Sequence, residues 1–186
     1  GLANIGVKRV IAEKLPFLRT LDTAVIANIA ASSIDEYCAV LDELEVVEGI
    51  DGYEINVSCP NVKEGGLSFG TSCELTEEIT RRLRSRTRKP LILKLTPNVT
   101  HIAEFARAVE SVGADAVSVI NTLIGMAVDV KTRKPMLSTV TGGLSGPAIK
   151  PIALAKVYET ARAVKIPVLG IGGIMNANDA LEFLMV

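Results

Sequence analysis

The sequence has little of what several classes of protein require. It contains no tryptophan, one histidine and three cysteines, and aromatic residues make up 4% of it. Cys38, Cys59 and Cys73 are too few and too scattered for a disulfide framework or a zinc site. No spacing of histidine, cysteine and carboxylate predicts a bound metal, and His101 is expected to be solvated at a helix start. A reduced compartment, the cytoplasm, is therefore the expected location.

A strong charge of either sign is also absent. The 20 basic and 21 acidic residues give a formal net charge of -1, whereas nucleic-acid binding requires clustered positive charge. No apolar run approaches the roughly 20 residues that span a bilayer, and the N-terminus lacks the basic-then-apolar pattern of a secretory signal. Neither nucleic acid nor a membrane is therefore an expected partner. Hydrophobic residues reach 48%, which predicts a packed core.

The sequence does contain a repeated alternation of short apolar runs with amphipathic stretches. The runs have the length and the nearly continuous apolar character of strands that are buried on both faces. Apolar residues at steps of three and four predict helices between them. Five strand–helix units predict a parallel sheet with right-handed crossovers. The predicted strands are residues 23–30, 52–58, 89–95, 114–121 and 166–173, and the helical stripes cover residues 34–44, 102–112 and 154–164.

Small residues are expected at the helix ends. Thr71 or Ser72 would accept the first-turn amides of the helix that contains Glu74, and Asn98 and Thr100 would do the same before Glu104. Gly113 is expected just beyond a helix end, where the backbone turns left-handed.

Five units predict an α/β fold but leave two architectures open. A closed (β/α)₈ barrel requires eight units, so an open doubly wound sheet is an alternative that periodicity cannot separate from it. Nothing in the sequence indicates an interdomain linker, and residues 1–186 are expected to form a single domain. The segment from Asn121 to Ile149 lacks helical period and is longer than usual for a βα loop. It is expected to contain a hairpin that turns at Lys131–Lys134 and to contribute to function.

Polar residues and glycines lie at the carboxyl end of every predicted strand. In parallel α/β folds these ends converge on one face, where ligands bind. The sequence therefore predicts a ligand site on this face. The residues are Asn28, the segment from Asn56 to Asn61, Lys94, Asn121 with Thr122, and Gly172 with Gly173.

Two of these side chains allow more than one interpretation. Lys94 interrupts the buried run LILKLT, and a buried ammonium requires a partner. That partner is an anionic ligand or a structural ion pair, unless the lysine extends out at the strand end. Cys59 follows a strand in NVSCPNVKEGG and is a nucleophile, a base or an inert buried residue. Cys38 is expected in the core. Cys73 lies near a helix start that would favour its thiolate, with no further indication of a role.

Two glycine-bearing turns precede predicted helices. They are GGLSGPAIKP, which contains Gly146, and GIGGIMN, which contains Gly172 and Gly173. Exposed backbone amides and the helix dipole make such turns suitable for phosphate, although glycine serves ordinary turns as often. Because the two turns belong to neighbouring units, together they favour a phosphate site.

Five ordered segments resemble a known family. They are NVSCPNVKEGGLSFGT, LILKLTPNVT, INTLIGMAVD, TGGLSGPAIKPIAL and GIGGI. Together they are similar to the NAD-linked type of class 1 dihydroorotate dehydrogenase, the flavin subunit of pyrimidine synthesis. The resemblance covers nearly the whole chain. It implies a (β/α)₈ barrel with FMN across its C-terminal mouth, here an incomplete barrel that is truncated at both ends and covers about strands three to seven.

The resemblance also implies a role for each site residue. Cys59 matches the base that takes a proton from carbon 5 of dihydroorotate, while carbon 6 gives hydride to flavin N5. Matches to substrate-binding positions are Gly1, Leu2, Asn56, Asn61, Asn121 and Thr122. Matches to flavin-ring contacts are Asn28, Asn56, Lys94 and Ile120, and matches to the phosphate cradle are Gly146, Gly172 and Gly173.

The segments also indicate the type of enzyme. The quinone-linked relatives use serine in place of Cys59 and carry an N-terminal membrane helix, and this sequence shows neither. The NAD-linked type works with an iron–sulfur FAD subunit that passes electrons to NAD, as a homodimer of catalytic subunits or a heterotetramer. The alternatives are a fumarate-linked relative, a related pyrimidine-reducing flavoenzyme or a non-catalytic fragment.

Overall fold

Five parallel strands form the centre of the fold. The computed structural model describes residues 4–58, 63–64 and 67–186. The helices are α1 Val7–Arg9, α2 Leu15–Leu18, α3 Ile34–Glu45, α4 Cys73–Arg84, α5 Ile102–Ser111, α6 Lys150–Ala161 and α7 Ala177–Met185. The strands of the central sheet are β1 Ile26–Ile29, β2 Gly52–Asn56, β5 Leu91–Leu95, β6 Ala116–Val119 and β11 Val168–Gly170. The five strands and the helices at the three predicted stripes are confirmed, with each strand shorter than predicted.

The order of the strands decides between the two architectures. The sheet order is β1-β2-β5-β6-β11, and every pair is parallel. Each new strand adds to the same edge, whereas a doubly wound sheet reverses its order at a switch point. The chain is therefore an α/β protein whose five strands and flanking helices fit an incomplete (β/α)₈ barrel.

The two faces of the sheet carry different side chains, because successive strand residues point to opposite sides. The helix-facing side is apolar and almost fully buried, and includes Tyr53, Ile55, Leu91, Leu93, Leu95, Val117 and Val119. The opposite side is polar toward the carboxyl ends, and the strand registers align Asn28, Glu54, Asn56, Lys94 and Ser118 on it. One face thus packs the core and the other supplies polar groups.

The helix ends agree only in part with the sequence. Ser72 Oγ accepts a hydrogen bond from the Leu75 amide and begins α4, as predicted. Gly113 follows α5 with a φ of +101°, also as predicted. The prediction that Asn98 and Thr100 cap α5 is wrong, because His101 is at the N-cap and no side chain there accepts an amide. Asn98 instead bonds to the segment after β6.

The long segment after β6 contains two antiparallel pairs, one beyond the other. β8 Val128–Asp129 pairs with β9 Lys134–Pro135, which confirms the predicted hairpin. The pair nearer the sheet, β7 Leu123–Gly125 with β10 Gly142–Leu144, was not predicted. A third short pair joins β3 Lys63–Glu64 to β4 Leu67–Ser68.

The chain before β1 is helical over residues 7–18, which the sequence patterns did not predict. Between α1 and α2, residues Val10–Lys14 form a π-helical turn. Pro16 follows in the first turn of α2 and has no backbone N–H to donate, so it is compatible with a break in the α-helical ladder.

Candidate active site

A cavity of about 450 Å³ opens at the carboxyl ends of β5, β6 and β11. Lys94 contributes to its wall from β5, and Ile120, Asn121 and Thr122 follow β6. Both glycine turns reach it from the other side. Seven of the predicted site residues therefore line one cavity: Lys94, Ile120, Asn121, Thr122, Gly146, Gly172 and Gly173.

Two asparagines are joined across the strand ends. Asn121 Nδ2 donates to Asn56 Oδ1 at 3.0 Å, and the Ser58 amide donates to the same oxygen at 3.1 Å. Asn121 Oδ1 accepts the Thr122 amide at 2.7 Å. Asn56 is 8% exposed and is not part of the cavity wall, so it connects to the cavity through Asn121. The carbonyl oxygen of Asn56 accepts the Tyr37 hydroxyl at 2.7 Å, which anchors this point to α3.

Lys94 has a charged partner within the protein. Its Nζ lies 3.7 Å from Oε1 of Glu54, and the two side chains are 16% and 18% exposed. The same Glu54 oxygen accepts the Ser118 hydroxyl at 2.6 Å, and Oε2 accepts Asn28 Nδ2 at 2.6 Å. The structural ion pair that the sequence left open is present, and Lys94 still reaches the cavity wall. Asn28 is linked to the cavity through Glu54 and Lys94.

Glu54 is a carboxylate beside the cavity wall that the sequence patterns did not predict as part of the site. It lies in the middle of β2, in the run GYEINVS. A carboxylate inside a buried strand requires a partner for the same reason as Lys94 does. The two opposite charges inside neighbouring buried strands therefore indicate a candidate pair, Glu54 and Lys94.

The glycine turns approach each other closely. Gly173 has a φ of +73°, and a Cβ there would meet the Gly146 carbonyl oxygen at 2.8 Å and the Lys150 amide nitrogen at 2.9 Å. Gly146 has a φ of +88°, and a Cβ there would meet nothing within 4 Å. These two glycine turns and the short 3₁₀ turn Pro147–Ile149, which directly precedes α6, surround the same end of the cavity. Backbone amides at such an end suit an anionic group.

A charged cluster holds this end of the cavity to α7. Lys150 Nζ lies 2.6 Å from Asp179 Oδ1 and 2.9 Å from Glu182 Oε2. The hydrogen bond from Lys150 lowers the pKa of Asp179, and the bond from the Met175 amide lowers it further. The hydrogen bond to Asp179 in turn raises the pKa of Lys150. The cluster thereby fixes the chain that follows Gly172 and Gly173.

A second cavity, of about 310 Å³, adjoins the first at Thr122, which lines both. Asn98 lies at its wall and connects the loop after β5 to the segment after β6. Asn98 Nδ2 donates to the Thr122 carbonyl oxygen at 3.0 Å and to Thr96 Oγ1 at 3.0 Å, and Asn98 Oδ1 accepts the Ile124 amide at 3.0 Å. Asn98 therefore fixes the backbone of Thr122, a residue shared by both spaces.

Four predicted site residues lie outside the described residues: Gly1, Leu2, Cys59 and Asn61. Ser58 is described, and its Oγ donates to the Lys94 carbonyl oxygen at 3.2 Å. The chain entering the Cys59 segment is therefore attached to β5 beside Lys94.

The remaining cysteines and the histidine lie away from this cavity. Cys38 is 3% exposed in the core, as expected. Burial raises the pKa of Cys73, and Glu104, Glu74 and Glu77 raise it further. The expectation that the helix start favours its thiolate is therefore wrong. His101 is exposed at the start of α5. Within residues 4–58, 63–64 and 67–186, no group of three histidine, cysteine or carboxylate side chains could hold a metal.

The part of the chain that the structure describes has no helix with both the length and the apolar character to cross a bilayer.

Comparison with known proteins identifies the family. The family model described as dihydroorotate dehydrogenase matches residues 1–186. Proteins named dihydroorotate dehydrogenase B (NAD(+)), catalytic subunit, are 53% identical in Geotalea uraniireducens, 51% in Citrifermentans bemidjiense and 53% in Trichlorobacter lovleyi, each over 185 residues. Each alignment covers 100% of this chain and 61% of the relative. The chain thus spans about three fifths of the length of these relatives.

One solved structure, of mandelate oxidase with benzoyl-formic acid, is similar with a TM-score of 0.42 and 16% identity. It covers 98% of this chain and 60% of that one, and a score this low supports no argument. The match of the family model and the identities of the relatives are sufficient. The chain belongs to the dihydroorotate dehydrogenase family.

Proposed function

We propose that the complete protein carrying this chain oxidises (S)-dihydroorotate to orotate in pyrimidine synthesis, with FMN as its cofactor. One observation carries the proposal: in a member of this family, a single cavity is lined by Lys94, Asn121, Thr122 and the two glycine turns. The cavity has polar amide groups at one side and backbone amides at the other, as a substrate and a flavin phosphate require.

The residues around the cavity fit FMN. A Cβ at Gly146 would meet nothing within 4 Å, so this glycine leaves space beside the cavity, whereas Gly173 lies against the Gly146 carbonyl oxygen with no room for a side chain. The turn Pro147–Ile149 after Gly146 leads into the N-terminus of α6, whose helix dipole favours a phosphate. Lys94 and Ile120 lie in the wall where the ring would bind, and Asn28 and Asn56 support that wall from behind. When bound, FMN supplies the group that accepts hydride.

The protein's own residues would bind the substrate and move one proton. Asparagine and threonine side chains can donate to and accept from an imide-like edge without changing its charge. We assign that role to Asn56, Asn61, Asn121 and Thr122, with Gly1 and Leu2 from the start of the chain. Cys59 would remove the proton from carbon 5, since a thiol with an ordinary pKa of about 8.5 is readily adjusted to act as a base near neutrality.

The electrons would leave through a partner. The relatives in Geotalea and Trichlorobacter are each named a catalytic subunit of an NAD(+) enzyme, which supports an electron-transfer subunit. We propose an iron–sulfur FAD subunit that passes electrons to NAD, with a homodimer or heterotetramer as the assembly and the cytoplasm as its location. Residues 1–186 would form one barrel domain with the flanking parts of the gene product.

The test replaces Cys59 in the complete gene product. Removal of a general base lowers a rate by about 10²- to 10⁴-fold, so Cys59→Ala should lose dihydroorotate oxidation to this extent at neutral pH. Cys73→Ala is the matched control, because Cys73 is a partly buried thiol outside the cavity, and its activity should be unchanged. Both variants should keep the absorbance of bound flavin.

Three outcomes would contradict the proposal. Purified protein without flavin absorbance would contradict the assignment of FMN as the cofactor. Full activity of Cys59→Ala would contradict the assignment of Cys59 as the base. A bound-flavin spectrum that responds to uracil and not to orotate would favour a pyrimidine-reducing enzyme instead.

A further inference from the structure

The carboxylate of Glu54 occupies the centre of the polar face of the sheet. β2 pairs with β1 so that Glu54 lies beside Asn28, and β5 pairs with β6 so that Lys94 lies beside Ser118. β1, β2, β5 and β6 are neighbours in one parallel sheet, so these registers place the four side chains on the same face of that sheet. Both Glu54 oxygens are occupied, one by the Ser118 hydroxyl and the other by the Asn28 amide.

Two of the side chains that surround Glu54 are those assigned to the flavin ring. Asn28 donates its amide N–H to Glu54 at 2.6 Å, which sets the direction of its side-chain oxygen. Lys94 Nζ lies 3.7 Å from the carboxylate and in the cavity wall. Because all of these groups are on strands of one sheet, their relative positions are fixed by the backbone.

We propose that Glu54 is a positioning residue that holds Asn28 and Lys94 for the flavin ring and whose negative charge limits the effect of Lys94 on the flavin's reduction potential. This inference rests on the proposed function, since it takes the cavity to be the FMN site. It adds a residue to which no role has been assigned and gives its effect a definite sign.

The sign follows from the charges. Reduction places negative charge on the flavin, and a nearby ammonium stabilises that state. The Glu54 carboxylate, 3.7 Å from the ammonium, opposes the field of Lys94 at the ring. Removing the carboxylate charge leaves the ammonium unopposed, so the reduced flavin is favoured and the potential rises. Removing the ammonium has the opposite effect.

The experiment measures the two-electron potential of bound FMN in the complete gene product. Glu54→Gln keeps the shape of the side chain and removes its charge. We expect it to favour binding of reduced over oxidised flavin by at least tenfold, which is about 30 mV upward for a two-electron couple. Lys94→Gln should move the potential downward by a similar factor.

Glu45→Gln is the matched control. Glu45 accepts the hydroxyls of Tyr53 and Thr87 and lies 3.8 Å from Lys89 Nζ, near the amino ends of β2 and β5. It is thus also a partly buried, hydrogen-bonded carboxylate beside a lysine, but at the opposite end of the sheet. Its replacement should leave the potential unchanged.

A second variant keeps the inference testable if Glu54→Gln fails to fold or to bind FMN. Ser118→Ala removes one hydroxyl donor from the carboxylate and leaves the charge in place, so the potential should fall rather than rise. An unchanged potential in Glu54→Gln would overturn the role of Glu54, and where that variant cannot be measured, an unchanged potential in Ser118→Ala would overturn it. If the unaltered protein binds no FMN, the proposed function itself fails, and the two failures are thereby distinguished.

Discussion

The side chain of Asn98 connects the loop after β5 to the segment after β6, beside the cavity. Its amide nitrogen donates to the Thr122 carbonyl oxygen, and its amide oxygen accepts the Ile124 amide. Thr122 follows Asn121, whose side chain bonds to Asn56. The orientation of the proposed substrate contacts therefore depends on a residue that does not line the first cavity.

Asn98→Ala should weaken substrate binding more than it slows turnover. Of the three side-chain hydrogen bonds lost, two of about 1 kcal/mol each hold the segment of Thr122 and Ile124, so we expect KM for dihydroorotate to rise about 5- to 30-fold with a smaller change in kcat. Thr100→Ala serves as the control, since Thr100 is an exposed residue of the same loop. Steady-state kinetics on the complete gene product would measure both. An unchanged KM for Asn98→Ala would contradict the role.

Single residues differed in how far the sequence could predict them. Lys94 was identified because its charge interrupts an apolar run, and Glu54 could have been identified in the same way. Asn98 could not, because its partners lie about 25 residues further along the chain. A small polar residue before a helix equally predicts a cap, and only the position of β7 shows that the amide is used elsewhere.

At the scale of elements, the two glycine turns form one end of the cavity because both have positive φ and approach closely. Gly173 has no room for a side chain, whereas Gly146 faces open space within the cavity wall. A side chain at Gly146 would therefore occupy the space that we assign to the flavin phosphate.

Gly146→Ala should weaken FMN binding. A hydrogen bond to a charged group contributes about 1.5–3 kcal/mol, so loss of one phosphate contact should raise the Kd for FMN about 10- to 100-fold. Gly6→Ala is the matched control, because Gly6 has a φ of +82° and also meets nothing within 4 Å, but lies before α1. Both variants should lose about 1–2 kcal/mol of stability through backbone strain. Equal FMN affinity in Gly146→Ala and Gly6→Ala would contradict the role of Gly146 in binding the flavin phosphate.

Elements with a strong period were predicted well and short elements were not. The central strands and helices α3, α5 and α6 follow from continuous or amphipathic apolar patterns. The helical run over residues 7–18 is interrupted by a π turn, so its apolar residues do not repeat at a regular step. The pair β7–β10 was missed because each strand has three residues and contains glycine, which is too short for an alternating pattern.

At the scale of the whole molecule, the sheet is open. In the described residues, the outer edges of β1 and β11 pair with no further strand. An eight-stranded barrel would pair them, and the relatives are longer than this chain, which covers 61% of them. Periodicity predicted five units and left the architecture open, the family resemblance predicted an incomplete barrel, and the sequential strand order fits that barrel.

The 186 residues alone should therefore bind FMN more weakly than the complete gene product. We expect the Kd to rise by at least about tenfold, or about 1.4 kcal/mol, because part of the cavity wall would be open to solvent. Fluorescence titration of FMN with the two proteins would measure the difference. Equal affinity would mean that the five strands suffice for the site.

The alternation of side chains along the strands has a consequence for how variants would fail. In β1, β2, β5 and β6 the strand registers place even-numbered residues on the polar face and odd-numbered residues against the helices. Substitutions at neighbouring strand positions should therefore have different measurable effects. Variants at odd-numbered positions such as Ile55 and Leu93 should lower the yield of soluble protein, whereas variants at even-numbered positions such as Asn28 and Asn56 should give a good yield of protein that binds flavin more weakly.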